Sequence, residues 1–215
     1  MERRNFIRNS SASLAALLLH DQLFAFSSNK LAEQVNVGVI GCGNRGVGLM
    51  HVLKELQDKF KVTSICDVLD FRFREAKEVG LGDMKEYKDY RKLLDDKSIK
   101  AVVIATPLYL HYQMAADALK AGKHIYLEKT MTYSIDEAAN LAKLAKQYPA
   151  QVLQVGHQLP YTPLYIKVKE MIAKDYLGQI TQVSCRYDRH NDWRRPVPDP
   201  KLERAINWRM YKEYS

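Results

Sequence analysis

Cysteine is scarce in this sequence, and no long apolar run opens it. The three cysteines, Cys42, Cys66 and Cys185, are an odd number in no metal-like spacing, so we expect neither a disulfide framework nor a metal site. Cys42 and Cys66 are predicted to pack as small hydrophobic residues. The apolar run at residues 11–19 is shorter than the ~20 residues that a bilayer-spanning helix needs. We therefore expect no permanent membrane span.

The sequence also lacks a long run of basic or of acidic residues. The 33 Lys and Arg residues outnumber the 25 Asp and Glu residues, giving a net charge of +8, but the two signs are interleaved along the chain. We therefore expect no nucleic-acid partner. The 215 residues are 47% hydrophobic and 27% charged, which is typical of a soluble globular protein with one complete domain and part of another.

The first 27 residues are typical of an export signal. Arg3 and Arg4 precede an aromatic, an aliphatic and a basic residue, and the short apolar run follows. Ala25 and Ser27 are small residues spaced like a cleavage site. The pattern resembles a bacterial twin-arginine signal and predicts a periplasmic or otherwise exported protein. A disordered basic tail is the alternative interpretation.

Strand and helix patterns alternate over residues 33–156. Short β-branched apolar runs predict buried strands at residues 35–40, 62–66, 101–105, 124–127 and 152–155. Helical patterns predict helices at residues 45–59, 71–79, 109–121 and 134–148, besides a short helix that Asp89 caps; Ser134 and Glu137 have the spacing of a capping box. Because parallel neighbouring strands need crossover helices, we predict an α/β fold with a doubly wound parallel Rossmann sheet.

Residues 157–215 are predicted to be the incomplete start of a second α/β domain. Pro163 suits the first turn of a helix that extends to about Lys174. Polar and apolar residues then alternate over residues 179–187, which predicts one strand of a half-solvated sheet.

The glycine loop at residues 41–46 (GCGNRG) is the most specific chemical signal. It follows a strand, begins a helix, and is followed by an acidic residue, Asp67, at the end of the next strand. Gly41 permits a tight turn, Gly43 lets the backbone approach a pyrophosphate, and Gly46 allows close helix–strand packing. The helix N-terminus offers free amides to phosphates. The loop predicts a dinucleotide site; a glycine turn without a ligand is the alternative.

Asp67 bears on which dinucleotide is bound. A carboxylate accepts hydrogen bonds from both ribose hydroxyls of NAD and repels the 2′-phosphate of NADP. NAD is therefore the expected cofactor and NADP the less favoured one. Arg72 and Arg74 lie one helical turn further on, where they can approach a 2′-phosphate, stack on adenine, or simply remain solvated.

Further motifs occur in a fixed order along the chain. They are YRKLL at residues 90–94, ATP at 105–107 with His111 four residues on, AGKH at 121–124, and Glu128-Lys129. With the glycine loop, this series resembles the glucose-fructose oxidoreductase, inositol dehydrogenase and rhizopine-catabolism (Gfo/Idh/MocA) family over roughly residues 35–208. The resemblance implies a Rossmann domain, then an α/β domain that holds substrate and supports homo-oligomer contacts. It also implies oxidation or reduction of a sugar, glycoside or cyclitol at a ring carbon with NAD or NADP.

The resemblance also implies roles for individual residues. Lys129 takes the place of the family's catalytic lysine, which hydrogen-bonds the substrate hydroxyl and stabilises the developing alkoxide. Thr130 stands where the family usually has proline, and Leu108 where it commonly has a cofactor-binding asparagine. The residues expected to contact the cofactor are Gly41, Gly43, Asn44, Arg45, Gly46, Asp67, Arg72, Thr106, Pro107, His111 and Glu128. The residues expected to contact substrate are Lys129, His157 and Arg186.

Four of these assignments leave alternatives open. His111 is either a ligand contact or a packing residue at a helix N-terminus, and His157 is either a cleft residue or a structural histidine. Lys129 is alternatively a surface lysine in a loop, and Arg186 a solvated residue at a strand end. The family's general acid/base lies in a later D-x-x-x-H pattern, for which no residue after Trp208 qualifies. We therefore expect the N-terminal portion of a longer enzyme. Besides an oxidoreductase, the sequence permits a glycoside hydrolase or lyase that uses tightly bound NAD transiently, or a catalytically inactive NAD-binding fragment.

Overall fold

A six-stranded parallel β-sheet forms the centre of the protein. The structure, a computed structural model, describes residues 34–188, 190 and 193–215. The strands are β1 (Val35–Ile40), β2 (Phe60–Cys66), β3 (Lys85–Tyr87), β4 (Ala101–Ile104), β5 (His124–Leu127) and β6 (Leu153–Val155). Their order across the sheet is β3-β2-β1-β4-β5-β6, and every neighbouring pair is parallel. The predicted Rossmann sheet is confirmed.

Helices connect the strands and flank the sheet. They are α1 (Asn44–Glu55), α2 (Asp70–Lys77), α3 (Tyr90–Asp95), α4 (His111–Lys120), α5 (Ile135–Gln147), α6 (Pro163–Ala173) and α7 (Glu203–Ile206). The predicted caps are present: Asp89 accepts from the Arg91 amide, and Ser134 and Glu137 form a reciprocal capping box. These caps satisfy amides that the first helical turn cannot pair.

The core is divided into two clusters by the sheet. One includes Leu93, Leu119 and Leu141 from α3, α4 and α5, and the other includes Met50 and Phe73 from α1 and α2. Each fully buried leucine contributes about 2 kcal/mol to folding. Because both faces of the sheet are covered, the crossovers leave the carboxyl ends of the strands as the open edge, where such folds bind ligands.

Cys42 and Cys66 are buried in this core, as the sequence predicted, and neither forms a disulfide. Burial is the main reason that the pKa of each thiol is raised to about 12. Both residues therefore act as small hydrophobic groups at neutral pH.

Beyond β6, one predicted element is present in the structure and another is not. The helix predicted from Pro163 is present as α6. The strand predicted over residues 179–187 is wrong, because no residue of this stretch pairs in a sheet. A strand needs a hydrogen-bonding neighbour, and within the described residues no extended segment lies beside this one. The boundary between the two predicted domains stays a prediction.

The C-terminal segment, residues 193–215, folds back onto the open edge of the sheet. The ring of Tyr109, after β4, lies with its centroid 4.9 Å from that of Tyr214. The Tyr133 hydroxyl, after β5, donates to the Lys212 carbonyl at 2.8 Å. The C-terminal segment thus lies against loops that follow two neighbouring strands.

The predicted export signal at residues 1–27 lies outside the described part of the chain. From residue 34 onward, no helix that the structure describes has the length and apolar character needed to cross a membrane.

Candidate functional site

The glycine loop is packed so tightly that two of its positions accept only glycine. Gly41 has φ +93°, and a Cβ there would lie 2.7 Å from the Ala105 carbonyl oxygen. A Cβ on Gly46 would lie 1.9 Å from the Gly41 carbonyl oxygen. Positive φ and close backbone approach are the two situations in which glycine is required. The loop therefore holds the start of α1 against β1 and the end of β4.

The same loop leaves space and donors on its outer side. A Cβ on Gly43 would meet nothing within 4 Å. The N-cap residue of α1 is Gly43, which has no side chain. Among the described residues, no side chain therefore caps the amides of the first turn of α1. An open approach to uncapped amides at a helix N-terminus fits the diphosphate of a dinucleotide.

Asp67 is fixed beside this loop at the end of β2. Its Oδ2 accepts from the Cys42 amide at 2.8 Å, and its Oδ1 accepts from the Leu69 amide at 2.9 Å. A carboxylate has about four acceptor positions, so two remain for other donors. The position and the remaining acceptors fit the paired hydroxyls of an adenosine ribose.

Arg72 borders a cleft next to the glycine loop. Its guanidinium pairs with Glu75 at 2.6 Å and lies 4.8 Å from the centre of the Phe71 ring. The cleft has a volume of about 890 Å³ and is also lined by Asn44 and by residues 195–199 of the C-terminal segment. Arg72 is thus already neutralised by a carboxylate at the edge of this cleft.

An ion pair joins the glycine loop to the loop after β5. Arg45 Nε donates to Glu128 Oε1 at 2.7 Å, and Glu128 is only 5% exposed. Glu128 Oε2 accepts from the main-chain amide of Lys129 at 3.1 Å. Since β4 lies between β1 and β5, the pair crosses the end of β4 and fixes the base of Lys129, whose side chain is exposed. The peptide bond between Lys129 and Thr130 is cis.

His111 is placed differently from a cofactor contact. It is 2% exposed, with Nδ1 2.8 Å from the Thr130 carbonyl oxygen and Nε2 3.0 Å from that of Thr106. Burial lowers its pKa, although the two carbonyls and Glu128 oppose that shift. Both ring nitrogens are engaged by the protein, so the structure favours the packing alternative. His111 connects the loops that follow β4 and β5.

The other residues predicted to contact cofactor or substrate lie in three different parts of the fold. Thr106 and Pro107 follow β4 and are half-buried, and the Thr106 hydroxyl donates to Met114 Sδ at 3.5 Å. His157 follows β6 and is exposed at the open edge. Arg186 is exposed in the unpaired segment after α6, and in the described part of the chain no contact joins it to Lys129 or the glycine loop.

Sequence reasoning missed three parts of the site. The Arg45–Glu128 pair joins residues 83 positions apart, and neither residue's spacing indicates the other. The Tyr126 hydroxyl lies beside Gly156, where a Cβ would approach it to 2.6 Å. Residues 195–199 were not expected to line the cleft. The first two depend on which strands are neighbours in the sheet, and the third depends on how the C-terminal segment folds back; local sequence pattern indicates none of them.

A glycine loop, a carboxylate at the end of the next strand and a lysine at the open edge of a parallel sheet are features of a dinucleotide-binding Rossmann domain. Residues 35–157 match the family described as "Oxidoreductase family, NAD-binding Rossmann fold" (GFO_IDH_MocA). The chain belongs to this family.

Relatives of the chain include inositol dehydrogenases and glycosyl hydrolases. It is 28% identical over 156 residues to inositol 2-dehydrogenase/D-chiro-inositol 3-dehydrogenase of Lactiplantibacillus plantarum, covering 73% of this chain and 45% of that protein. It is 27% identical over 225 residues to a glycosyl hydrolase family 109 protein of Shewanella amazonensis, covering 94% and 49%. The chain thus spans about half the length of the curated relatives it matches.

Solved structures agree on the fold. The crystal structure of myo-inositol 2-dehydrogenase from Lactobacillus plantarum gives a TM-score of 0.62 at 26% identity, covering 69% of this chain and 43% of that one. A scyllo-inositol dehydrogenase from Lactobacillus casei, with bound NAD(H) and scyllo-inositol, gives 0.64 at 24% identity, covering 69% and 44%. The second likeness concerns the fold alone.

Proposed function

We propose that this chain forms the dinucleotide-binding part of an oxidoreductase that acts on a ring carbon of a cyclitol, sugar or glycoside. The observation that carries the proposal is the position of Lys129. Its side chain is exposed at the carboxyl end of β5, while its main chain is bonded to Glu128, which Arg45 ties to the glycine loop. The glycine loop and the Lys129 side chain therefore both lie at the carboxyl edge of the sheet.

The chain's own residues supply binding and charge stabilisation. NAD would supply the hydride acceptor when bound. The glycine loop and the first turn of α1 would hold its diphosphate, and Asp67 would hold its ribose. The ammonium of Lys129 donates to the substrate hydroxyl and stabilises the alkoxide that develops as hydride leaves the carbon. A general base, to which no described residue is assigned, would accept the proton of the substrate hydroxyl.

We also propose that the protein is exported from the cytoplasm. Arg3 and Arg4 support a twin-arginine route, which carries folded proteins. A dinucleotide that is scarce outside the cytoplasm would then travel inside the folded chain. A homo-oligomeric full-length form stays a prediction from the family resemblance.

NAD is the proposed cofactor, and substitution of Asp67 tests this choice. Asp67→Ala is expected to weaken NAD binding about tenfold, because two charge-assisted hydrogen bonds to the ribose are lost. It should leave NADP affinity unchanged or improve it, since a repulsive carboxylate is removed. Calorimetric titration of both dinucleotides measures the two effects. Unchanged NAD affinity would contradict the assignment of Asp67 to the ribose.

A hydrolase is the second candidate, favoured by one observation. The match to the Shewanella glycosyl hydrolase extends over 94% of the chain, further than the 73% covered by the match to the L. plantarum dehydrogenase. Such an enzyme would reduce its bound NAD and reoxidise it within one catalytic cycle, cleaving a glycosidic bond. The same Lys129 would stabilise the same alkoxide.

Net NADH formation separates the two candidates. The full-length protein that contains this chain is incubated with NAD and either inositols or a chromogenic glycoside, while NADH absorbance and aglycone release are recorded. We expect NADH with an inositol; aglycone release without net NADH favours the hydrolase, and neither product contradicts both. Lys129→Met is expected to reduce the rate about a hundredfold, because one preorganised donor is lost. Lys143→Met, an exposed lysine on α5, is the matched control and should leave the rate unchanged.

A further inference from the structure

Asn207 fixes the main chain of Arg195 in the C-terminal segment. Its Oδ1 accepts from the Arg195 amide at 2.6 Å, and its Nδ2 donates to the Arg195 carbonyl at 2.9 Å and to Glu203 at 3.0 Å. Asn207 is only 3% exposed. A buried amide with three hydrogen bonds is costly to disrupt, so Arg195 is held at a defined place on the open edge.

The Arg195 side chain carries a charge that no described residue neutralises in an ion pair. It is exposed, and among the described residues no carboxylate forms an ion pair with it. Its charge is close enough to Arg209 to lower the pKa of that guanidinium, in addition to the larger effect of desolvation, while Glu128 opposes the shift. Glu128 is itself bonded to Arg45. Two neighbouring guanidinium groups therefore repel each other without a dedicated counter-ion.

Arg195 lines the same cleft as the residue that follows Gly43 in the glycine loop. Arg195 lines the cleft of about 890 Å³ together with Asn44, the first residue of α1. The other charged residues on this cleft are Arg72, Arg74, Glu75, Glu78 and Asp199. Arg72 is paired with Glu75, whereas Arg74 and Arg195 form no ion pair with the described residues. Of these two guanidinium groups, Arg195 is the one that the C-terminal segment brings to the cleft.

We propose that Arg195 binds the diphosphate of the dinucleotide from the side opposite the glycine loop. The diphosphate would lie between the uncapped amides of α1 and the Arg195 guanidinium, and its negative charge would relieve the repulsion between Arg195 and Arg209. Guanidinium groups suit this task because they donate to two phosphate oxygens at once. This inference rests on the proposed dinucleotide binding and adds a residue from outside the Rossmann sheet.

Three ligands and three variants test the inference. Affinities of the full chain for NAD, ADP and adenosine are measured by calorimetry for wild type, Arg195→Met and Arg195→Lys. Arg195→Met is expected to weaken NAD and ADP about tenfold, the loss of one charge-assisted contact, and to leave adenosine unchanged. Arg195→Lys should restore part of the loss. The NAD affinity of Arg195→Met should also depend less steeply on salt concentration.

Controls distinguish a failure of the proposed dinucleotide binding from a failure of the role inferred for Arg195. Lys201→Met removes an exposed charge from the same segment and should change none of the three affinities. Wild type that binds none of the ligands contradicts the proposed function itself. Wild type that binds NAD equally well with and without Arg195 contradicts only this inference. Tighter NAD binding by Arg195→Met also overturns it, because the segment would then obstruct the site.

Discussion

Gly46→Ala is expected to abolish measurable NAD binding and to destabilise the fold. The added methyl would lie 1.9 Å from the Gly41 carbonyl oxygen, and a main-chain atom cannot rotate away as a side chain can. Gly41 is in turn closely packed against the Ala105 main chain, so α1 has to move off the sheet. We expect a loss of about 3 kcal/mol in the free energy of unfolding and a fall of at least about a hundredfold in NAD affinity.

Gly48→Ala is the matched control for this experiment. Gly48 lies on the same helix, and a Cβ there would meet nothing within 4 Å. Alanine should therefore raise the free energy of unfolding by up to about 1 kcal/mol through its helix propensity, with unchanged NAD affinity. Urea unfolding and calorimetric titration of both variants measure the two effects. Equal behaviour of the two variants would mean that the close approach of Gly46 to Gly41 is not needed for folding or for binding.

The parts of the fold predicted from sequence are those encoded in neighbouring residues. The central strands β1 and β4 are rich in valine and isoleucine and are mostly buried. Ser134 with Glu137 specifies a helix start within four positions. Strand β3 was not predicted, because two of its three residues, Lys85–Tyr87, are charged and exposed. A strand at the edge of the sheet lacks the apolar pattern by which a buried central strand is recognised.

The parts that sequence could not predict depend on which strands become neighbours. Arg45 meets Glu128 only because β1, β4 and β5 lie side by side. Arg195 reaches the cleft because the C-terminal segment folds back over the open edge. The error over residues 179–187 has the reverse cause: alternation of polar and apolar residues permits a strand, but hydrogen-bonding neighbours decide whether one forms.

His111→Leu is expected to cost about 3 kcal/mol of stability and to loosen the Lys129 loop. Leucine fills a similar volume but cannot donate, so the buried carbonyls of Thr106 and Thr130 lose the ring that now lies between them. A buried acceptor left without a donor costs about 1–3 kcal/mol. Urea unfolding measures the loss, and faster hydrogen exchange at the amides of residues 129–132 reports the loosened loop.

Gln113→Leu separates this effect from a general change in α4. Gln113 is exposed on the same helix and bonds only Asp117 in the part of the chain described, so its substitution should cost less than about 0.5 kcal/mol and leave exchange in the loop unchanged. An equal loss in both variants would contradict a specific role for His111.

The pH dependence of stability provides an independent check on His111. Because burial holds the pKa of His111 below its ordinary value of 6.5, the unfolded chain binds the proton more readily than the folded one. The stability that wild type gains over His111→Leu is therefore complete above about pH 6.5. It should shrink as the pH falls through the lowered pKa of the folded chain. A difference that instead grows at acid pH would show that the two carbonyls outweigh burial and hold the ring as an imidazolium.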